Sequence, residues 1–360
     1  MVRILKVKIN NKYITITFLT IILIVISIIV YFIFWNKSSF ESAAVNVDIA
    51  ENDWAFYNYS QTINDSKGIS GIDVNILPAW NITKGDPDLV VAVIDTGVDY
   101  ECTILEDKLL INASDPVDGK DNDGNGYIDD YYGWDFYNGD NSMYDDYLYD
   151  YHGTYICTTI ARVAPEVKIL PVKFLKSSSG SLHDAILSIK YAISRGARII
   201  NCSWNFNDYN EELYELIKNN PDILFVCAAG NSNINLDNES LYLCSYDLDN
   251  IITVISIDNA GNIYEASGYG SNTDIAAPGV DVDVIFPDNN ETTINGTSVS
   301  ASFVSAAAAL MLSENDSLSP SKIKSIILAS AQYNKNLESL CASGGYLDIA
   351  ACLTEKKNNN

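Results

Sequence analysis

The distribution of apolar and polar residues changes character along the chain. Residues 13–35 are apolar and uncharged, whereas from residue 89 onward short continuous apolar runs alternate with longer segments of helical spacing. Short continuous apolar runs are typical of strands buried on both faces, and an apolar residue at every third or fourth position is typical of an amphipathic helix. This alternation predicts an α/β fold in three layers, with a mostly parallel central sheet and helices on both of its faces.

The same pattern places the individual segments of the fold. We predict strands at residues 89–94, 169–174, 198–202, 223–228, 251–255 and 274–277. We predict helices at residues 182–194, 211–218, 298–313 and 321–331, and one more that starts near residue 152. The folded domain is therefore expected to occupy residues 52–352, followed by a polar tail at residues 353–360.

The N-terminal apolar segment is long enough to cross a membrane. Residues 13–35 contain no charged side chain, and about 20 apolar residues suffice for a spanning helix. Basic residues at positions 3, 6, 8 and 12 precede the segment, so the positive-inside rule places the N-terminus in the cytoplasm. We predict a basic cytoplasmic tail at residues 1–12, a single transmembrane helix at 13–35, a tether at 36–51 and an extracellular domain anchored to the cell membrane.

A cleaved signal peptide is the alternative interpretation of this segment. Ala43 and Ala44 offer a small-residue cleavage site, and cleavage there would yield a secreted protein. However, the apolar run is longer than the roughly 7–15 residues usual for a signal peptide, and the two alanines lie well beyond its end. These two features favour the uncleaved anchor.

Acidic residues dominate the charge of the chain. A formal net charge of −25 and a pI near 4.2 argue against nucleic acid as a partner, and against anionic lipid as a partner of the outer domain. We expect a monomer.

The seven cysteines include no Cys-x-x-Cys pair, so neither a zinc site nor a disulfide framework is indicated. Cys341 with Cys352 is the one pair considered as a bridge.

Aspartate is concentrated in an acidic insert, residues 118–150, which holds ten aspartates and a single basic residue. Oxygen-bearing side chains stand there at positions 1, 3, 5 and 9 of a loop whose sixth residue is glycine, as in the first part of an EF-hand. Tyr132 takes the twelfth position instead of glutamate, so Asp130 or Asp135 would close the site. We predict a structural calcium ion, with a solvated acidic loop as the alternative. The predicted ligands are Asp121, Asp123, Asn125, Asp129 and Asp130.

Three polar residues stand where chemistry is expected. Ser298 opens a helix of small residues, so backbone N–H groups and the helix dipole would favour negative charge at its oxygen. Asp95 ends an apolar strand, at the edge that usually carries sites in parallel sheets. His152, one of two histidines, starts another helix, whereas His183 lies within an amphipathic one. Taken alone, Ser298 would be interpreted as an ordinary N-cap.

The order Asp95, His152, Ser298, with each residue in an intact local motif, resembles the subtilisin-like serine proteases, the subtilases. The resemblance covers residues 52–352 and implies a subtilisin-like fold. It also implies that Ser298 is the nucleophile, that His152 takes its proton and that Asp95 orients the imidazole. Asn231, within the sequence Ala-Ala-Gly-Asn-Ser, matches the family residue whose amide stabilises the oxyanion together with the backbone N–H of Ser298.

The resemblance also assigns a substrate cleft. Residues 201–205 match the segment that pairs with an extended substrate as an added strand. Trp204 would line the pocket for the fourth residue before the cut, and Asn205 takes a position that is commonly glycine, which should narrow the primary pocket. Departures from the family pattern are Tyr155, Thr158, Ser302 and Phe303. The implied substrate-binding residues are Ser203, Trp204, Asn205, Ala228, Ala229 and Gly230.

The resemblance therefore favours a membrane-anchored serine endopeptidase that acts on proteins or peptides outside the cell. Two alternatives remain open at this point. One is a narrow-specificity peptidase that trims leader or precursor segments from secreted peptides. The other is an inactive protease-like binding protein, which retention of all three triad residues and of Asn231 disfavours.

Overall fold

The computed structural model describes residues 53–355. The predicted cytoplasmic tail, transmembrane helix and tether therefore lie outside the described residues, as do residues 356–360 of the predicted polar tail. Within the described part of the chain, no helix has both the length and the apolar character that crossing a membrane requires.

The strands are short and most of them follow the apolar runs of the sequence. In chain order they are β1 (Thr62–Ile63), β2 (Ser66–Lys67), β3 (Val90–Asp95), β4 (Trp134–Asp135), β5 (Lys168–Lys173), β6 (Ile199–Cys202), β7 (Leu224–Ala228), β8 (Ile251–Ile257), β9 (Ile275–Pro278), β10 (Val282–Phe286), β11 (Asn290–Ile294), β12 (Gln332–Tyr333) and β13 (Gly345–Tyr346).

The helices begin at the polar capping residues that the sequence provides. Asp146, Ser181, Asn210 and Ser319 each accept a hydrogen bond from a backbone N–H of the first helical turn, as N-caps do. The α-helices are α1 (Ile76–Ala79), α2 (Tyr147–Val163), α3 (Leu182–Ser194), α4 (Glu211–Lys218), α5 (Thr297–Glu314), α6 (Pro320–Ser330) and α7 (Ile349–Glu355). Short 3₁₀ helices occur at Thr103–Leu105, Pro287–Asn289 and Lys335–Leu337.

Nine of these strands form one sheet, in the order β12-β13-β9-β8-β7-β6-β3-β5-β4. All neighbouring pairs are parallel except β12 with β13. The chain moves from β3 to β5 in one direction and from β6 to β9 in the other, so the strand order reverses between β3 and β6. Such a reversal leaves a crevice at the carboxyl ends of the strands, which is where ligands bind in open parallel sheets.

Helices cover both faces of this sheet. Parallel crossovers are right-handed, so connections that run in opposite directions along a sheet place their helices on opposite faces. From β3 the chain reaches β5 through the short edge strand β4 and then α2, which packs against β3 and β5, whereas α3 and α4 belong to the connections that run back past β3 and on to β7. Helix α5 packs against α2 and against β6 to β9. The three-layer α/β fold with a mostly parallel sheet is confirmed.

Small residues let the two central helices pack closely. Residues 297–312 of α5 are all buried, which explains why this helix is rich in alanine and serine and lacks a polar face. Gly153 in α2 lies against the turn after β3, and a Cβ at Gly153 would be 2.1 Å from the carbonyl oxygen of Gly97. A larger residue would push α2 away from the end of β3.

All seven cysteines are buried thiols, and none is joined in a disulfide. The bridge considered between Cys341 and Cys352 is therefore wrong. Cys202 and Cys227 are register partners on β6 and β7, and they occupy core positions as small hydrophobic residues do.

Candidate active site

Asp95 and His152 meet at the carboxyl end of the sheet. The Oδ1 atom of Asp95 lies 2.7 Å from Nδ1 of His152 and also accepts a hydrogen bond of 2.7 Å from the backbone N–H of Thr96. Asp95 is 1% exposed, whereas the His152 side chain is 26% exposed. A buried carboxylate at Nδ1 favours the tautomer whose Nε2 lone pair is available to take a proton.

Two further hydrogen bonds hold α2 against the turn that follows Asp95. The backbone N–H of Gly153 donates to Oγ1 of Thr96 at 2.9 Å. The backbone N–H of Asp99 donates to Oγ1 of Thr154, also at 2.9 Å. Both bonds involve the two residues that follow His152, so they hold this part of α2 against the turn after Asp95.

Ser298 is the second residue of α5 and lies beside His152 and Asn231 in one cavity of about 470 Å³. Its side chain is at a helix N-terminus, as the sequence predicts, and it is 6% exposed. The hydroxyl of Ser203 donates to its carbonyl oxygen at 3.2 Å, which ties the start of α5 to the segment after β6. The structure thus brings Asp95, His152 and Ser298 to the same edge of the sheet.

Asn231 is oriented by the residue that precedes Ser298. Its Oδ1 atom accepts hydrogen bonds from the backbone N–H of Thr297 at 2.9 Å and from the Thr297 hydroxyl at 3.1 Å. Because the amide oxygen is engaged by Thr297, the amide NH₂ group is the part of the side chain left to donate into the cavity. Donors fixed in this way can stabilise an oxyanion without reorganising.

Asn205 closes one end of the cleft. Its Nδ2 donates to the carbonyl oxygen of Ala228 at 2.8 Å, and its Oδ1 accepts a hydrogen bond from the backbone N–H of Cys244 at 3.3 Å. The side chain therefore reaches from the end of β6 across to the end of β7. Of the six predicted substrate-binding residues, Ser203, Trp204 and Asn205 line the cavity, whereas Ala228, Ala229 and Gly230 do not.

Several residues that line the cavity were not identified from the sequence. Trp204 donates from Nε1 to the carbonyl oxygen of Ile94 at 2.8 Å, and its ring packs edge-on against Phe174 at 4.8 Å. The serine-rich segment directly follows the end of β5 at the crevice. This position after a strand end was the sequence signal from which its place in the cavity could have been predicted. The lining residues missed are Tyr149, Tyr151, Phe174, Leu175, Ser177, Ser178, Gly180 and Phe206.

Comparison with known proteins decides the family of this chain. The model described as "Subtilase family" matches residues 86–346. Subtilisin-like protease 1 of Plasmodium falciparum (isolate 3D7) is 30% identical over 293 residues, which cover 72% of this chain and 42% of that protein. The chain belongs to the subtilase family. It spans less than half the length of this Plasmodium relative.

Two solved structures share the fold of this subtilase. The structure of the prenylagaramide maturation protease PagA has a TM-score of 0.61 at 24% identity, with 77% of this chain and 96% of that chain covered. The crystal structure of a lanthipeptide protease has a TM-score of 0.64 at 21% identity, with 78% and 91% covered. At these identities the likeness establishes the fold.

Tyr155 stands where the family pattern leads one to expect histidine. It lies beside His152 and Ser298 in this subtilase site. Its ring meets the imidazole of His152 edge-on at 4.8 Å and stacks on Phe286 at 5.6 Å. Burial and the charge of Asp95 raise the pKa of its hydroxyl well above the ordinary value, while a hydrogen bond from the Ser298 hydroxyl acts in the opposite direction.

The other departures from the family pattern serve packing. Thr158 donates to the carbonyl oxygen of Ile285 at 3.0 Å, and Ser302 donates to that of Val299 at 2.6 Å. Phe303 is buried against Phe56, with ring centroids 5.8 Å apart. None of these side chains lines the cavity that holds Ser298.

The residues predicted to bind calcium have other partners in this subtilase. Asp121 accepts hydrogen bonds from the backbone N–H groups of residues 124–126. Asp130 is buried, lies 3.0 Å from Arg195 and accepts from the Tyr191 hydroxyl, so its charge is balanced without a metal ion. Across residues 53–355, no three His, Cys, Asp or Glu side chains converge in a way that could hold a metal.

The calcium site stays a prediction, and a melting experiment tests it. If the acidic insert binds calcium in the folded state only, millimolar calcium should raise the melting temperature relative to EGTA. The stabilisation would reach about 2.7 kcal/mol with the ion at 100 times its Kd. Asp121→Ala with Asp123→Ala should abolish the difference. If the unaltered chain melts at the same temperature in calcium and in EGTA, the calcium prediction is wrong and the loop is held by its own hydrogen bonds.

Proposed function

We propose that this subtilase is a serine endopeptidase with narrow specificity, which cuts extended segments of peptide or protein substrates. The observation that carries the proposal is the 2.7 Å contact of Asp95 with His152 Nδ1 beside Ser298 and Asn231 in a single cavity. Its first test is covalent labelling of the full chain by a fluorophosphonate probe, which reacts with activated serines. Absence of labelling would favour the alternative of an inactive protease-like binding protein.

In the first half of the reaction, the Ser298 hydroxyl donates its proton to His152. Its oxygen attacks the scissile carbonyl carbon while Nε2 of His152 takes the proton, and Asp95 stabilises the imidazolium that forms. The carbonyl oxygen becomes an oxyanion, which accepts hydrogen bonds from the backbone N–H of Ser298 and the amide of Asn231. The imidazolium then protonates the leaving amine, and an acyl-enzyme with an ester bond to Ser298 remains.

The second half of the reaction repeats these roles with water as the nucleophile. His152 takes a proton from the water molecule, whose oxygen attacks the ester carbonyl carbon, and the same two donors stabilise the second oxyanion. His152 then returns the proton to Oγ of Ser298 as the ester bond breaks. The new carboxylic end of the substrate is released and the free enzyme is restored.

The cleft supports selection of a small residue at the position before the cut. Asn205 fills the space between the ends of β6 and β7, where its two hydrogen bonds hold it in place. Displacing it would leave the carbonyl oxygen of buried Ala228 without this donor, which adds to the cost of admitting a large side chain. We propose on this ground a processing role, such as trimming a leader or precursor segment. Two structures of the same fold are a prenylagaramide maturation protease and a lanthipeptide protease.

Asn205→Gly is expected to widen the accepted range at the position before the cut. Removing the side chain frees its volume, and discrimination in such pockets amounts to about 1–3 kcal/mol. We therefore expect kcat/KM for substrates with a large apolar residue there to rise by roughly 10- to 200-fold, with little change for alanine or glycine. Cleavage of a peptide library by the two proteins measures this ratio.

Asn207→Gly provides the matched control, because Asn207 is exposed and follows the same segment. It should leave the library profile unchanged. A profile of the unaltered enzyme already dominated by large aromatic residues before the cut would contradict the role of Asn205, and so would an identical profile for Asn205→Gly.

For location, we propose that residues 13–35 hold the enzyme in the cell membrane with its peptidase domain outside. The charge asymmetry around this segment supports the orientation. Protease added to intact cells should then digest the domain. A mature N-terminus close to Ala44 in the culture medium would support the secreted alternative instead.

A further inference from the structure

A buried lysine lies at the carboxyl end of the sheet, as the active site does. Lys173 is the last residue of β5, and its side chain is 1% exposed. Its Nζ atom is 2.5 Å from a carboxylate oxygen of Asp145, 2.9 Å from one of Asp150 and 3.6 Å from one of Asp135. Three carboxylates thus surround one ammonium group, and burial raises the pKa of Asp135 to about 6 despite the attraction of Lys173.

The three carboxylates belong to two different parts of the active-site frame. Asp135 and Asp145 come from the part of the acidic insert that precedes α2, whereas Asp150, the last residue of the insert, is in the first turn of α2, two residues before His152. Oδ2 of Asp150 also accepts hydrogen bonds from the backbone N–H groups of Asp145 and Asp146, at 2.7 and 3.1 Å. Lys173 and Asp150 together therefore hold the end of the insert against the start of α2.

Lys173 is also directly connected to the strand that carries Asp95. The two residues are register partners on the parallel strands β5 and β3. The backbone N–H groups of Phe174 and Leu175, which follow Lys173, both donate to the carbonyl oxygen of Asp95. One end of Lys173 is thus fixed beside Asp95, while its ammonium group reaches the helix that carries His152.

We infer that Lys173 is a positioning residue for the Asp95 and His152 pair, and that through it the acidic insert forms part of the catalytic frame. The inference rests on the proposed function of this same site. Without the ammonium group, three buried or partly buried carboxylates would repel one another, and breaking such a buried pair is strongly unfavourable. The start of α2 and the end of the insert would then move apart, taking His152 with them.

The size of the effect follows from how sharply catalysis depends on position. A displacement of about 1 Å in a reacting group can lower the rate by about 10²-fold. We expect Lys173→Met, which keeps the apolar stem and removes the charge, to lower the second-order rate constant of fluorophosphonate labelling by up to about 10²-fold. Lys173→Arg restores a cation with several donors and should recover most of the rate.

Asp145→Asn separates positioning from folding, because the Asp145 side chain is only partly buried and Lys173 keeps Asp150 as a partner. We expect it to slow labelling several-fold, and to add little when combined with Lys173→Met, since residues in one network are not additive. Lys190→Met is the control, because Lys190 is an exposed lysine paired with Glu212 on the surface and should leave the rate unchanged. All rates are measured on full-length protein well below each variant's melting temperature.

A readout independent of activity is the low-field proton resonance of the hydrogen bond between His152 Nδ1 and Asp95. It should weaken or shift in Lys173→Met and return in Lys173→Arg. Normal labelling and an unshifted resonance in folded Lys173→Met would overturn the inference. If Lys173→Met does not fold, unchanged values in Asp145→Asn would overturn it equally. Failure of the unaltered chain to label would instead count against the proposed function, and the resonance would still test Lys173.

Discussion

Ser298→Ala is expected to abolish both covalent labelling by the fluorophosphonate probe and cleavage of any peptide substrate. Ser298 supplies the only protein atom in the proposed mechanism that bonds to the substrate, and removal of the equivalent serine in the related subtilisin costs about 10⁶-fold in kcat. Intact-protein mass spectrometry of the probe-treated chain measures the adduct directly. We expect the adduct mass on the unaltered chain and none on the variant.

The control for this experiment is Ser313→Ala, which removes a hydroxyl from the far end of the same helix. The Ser313 hydroxyl donates to the carbonyl oxygen of Ala309 and has no role in the cavity. It should label like the unaltered chain. An adduct that persists on Ser298→Ala would show that another residue is the nucleophile, and peptide mapping would identify it.

Asp95→Asn is expected to lower kcat by about 10⁴-fold while leaving the fold intact. The carboxylate now accepts from both the Thr96 N–H and His152 Nδ1 through one oxygen. In asparagine, an amide oxygen at the Oδ1 position keeps both bonds but lacks the negative charge that stabilises the imidazolium. An NH₂ group at that position would instead face His152 as a donor, which favours the imidazole tautomer with its proton on Nε2, and that tautomer cannot accept the proton of Ser298. Labelling rate constants and circular dichroism together separate this effect from unfolding.

Asp88→Asn is the matched control for Asp95→Asn, because Asp88 is exposed just before the same strand. It should change neither the rate nor the melting temperature. Near-normal turnover of Asp95→Asn would mean that the short contact with His152 does not set the tautomer, and the assignment of the three residues as one catalytic unit would fail.

The regular elements of the fold could be predicted because their signals are local. The predicted helix at residues 182–194 coincides with α3, and the helix predicted at 298–313 differs from α5 by one residue at each end. In both cases a capping residue or a turn marks the start and an unbroken spacing of apolar or small residues continues it. The positions of Asp95 and Ser298 were equally accessible, because one ends a strand and the other lies in the first turn of a helix, whereas α2 begins at Tyr147 and not near His152 as predicted.

Contacts between distant residues could not be predicted in this way. The hairpin of β10 and β11 has one strand that is mostly exposed and polar, so it carries little apolar signal. The pairing of Asp130 with Arg195 depends on how the acidic insert folds back on α3, and a ligand pattern along the sequence does not reveal it. The hydrogen bond from Asn205 to Ala228 likewise needs the two strand ends to be side by side.

The burial of every cysteine has a practical consequence for observing the protein at work. Burial raises the pKa of the Cys102 thiol to about 11 and that of Cys157 well above its ordinary value, and thiolates are the form that reacts with maleimides. The unaltered chain should therefore react very little with thiol-directed labels. A single Ser178→Cys substitution, at an exposed position on the cavity wall, would accept one fluorophore. Its emission would report peptides entering and leaving the cleft in real time.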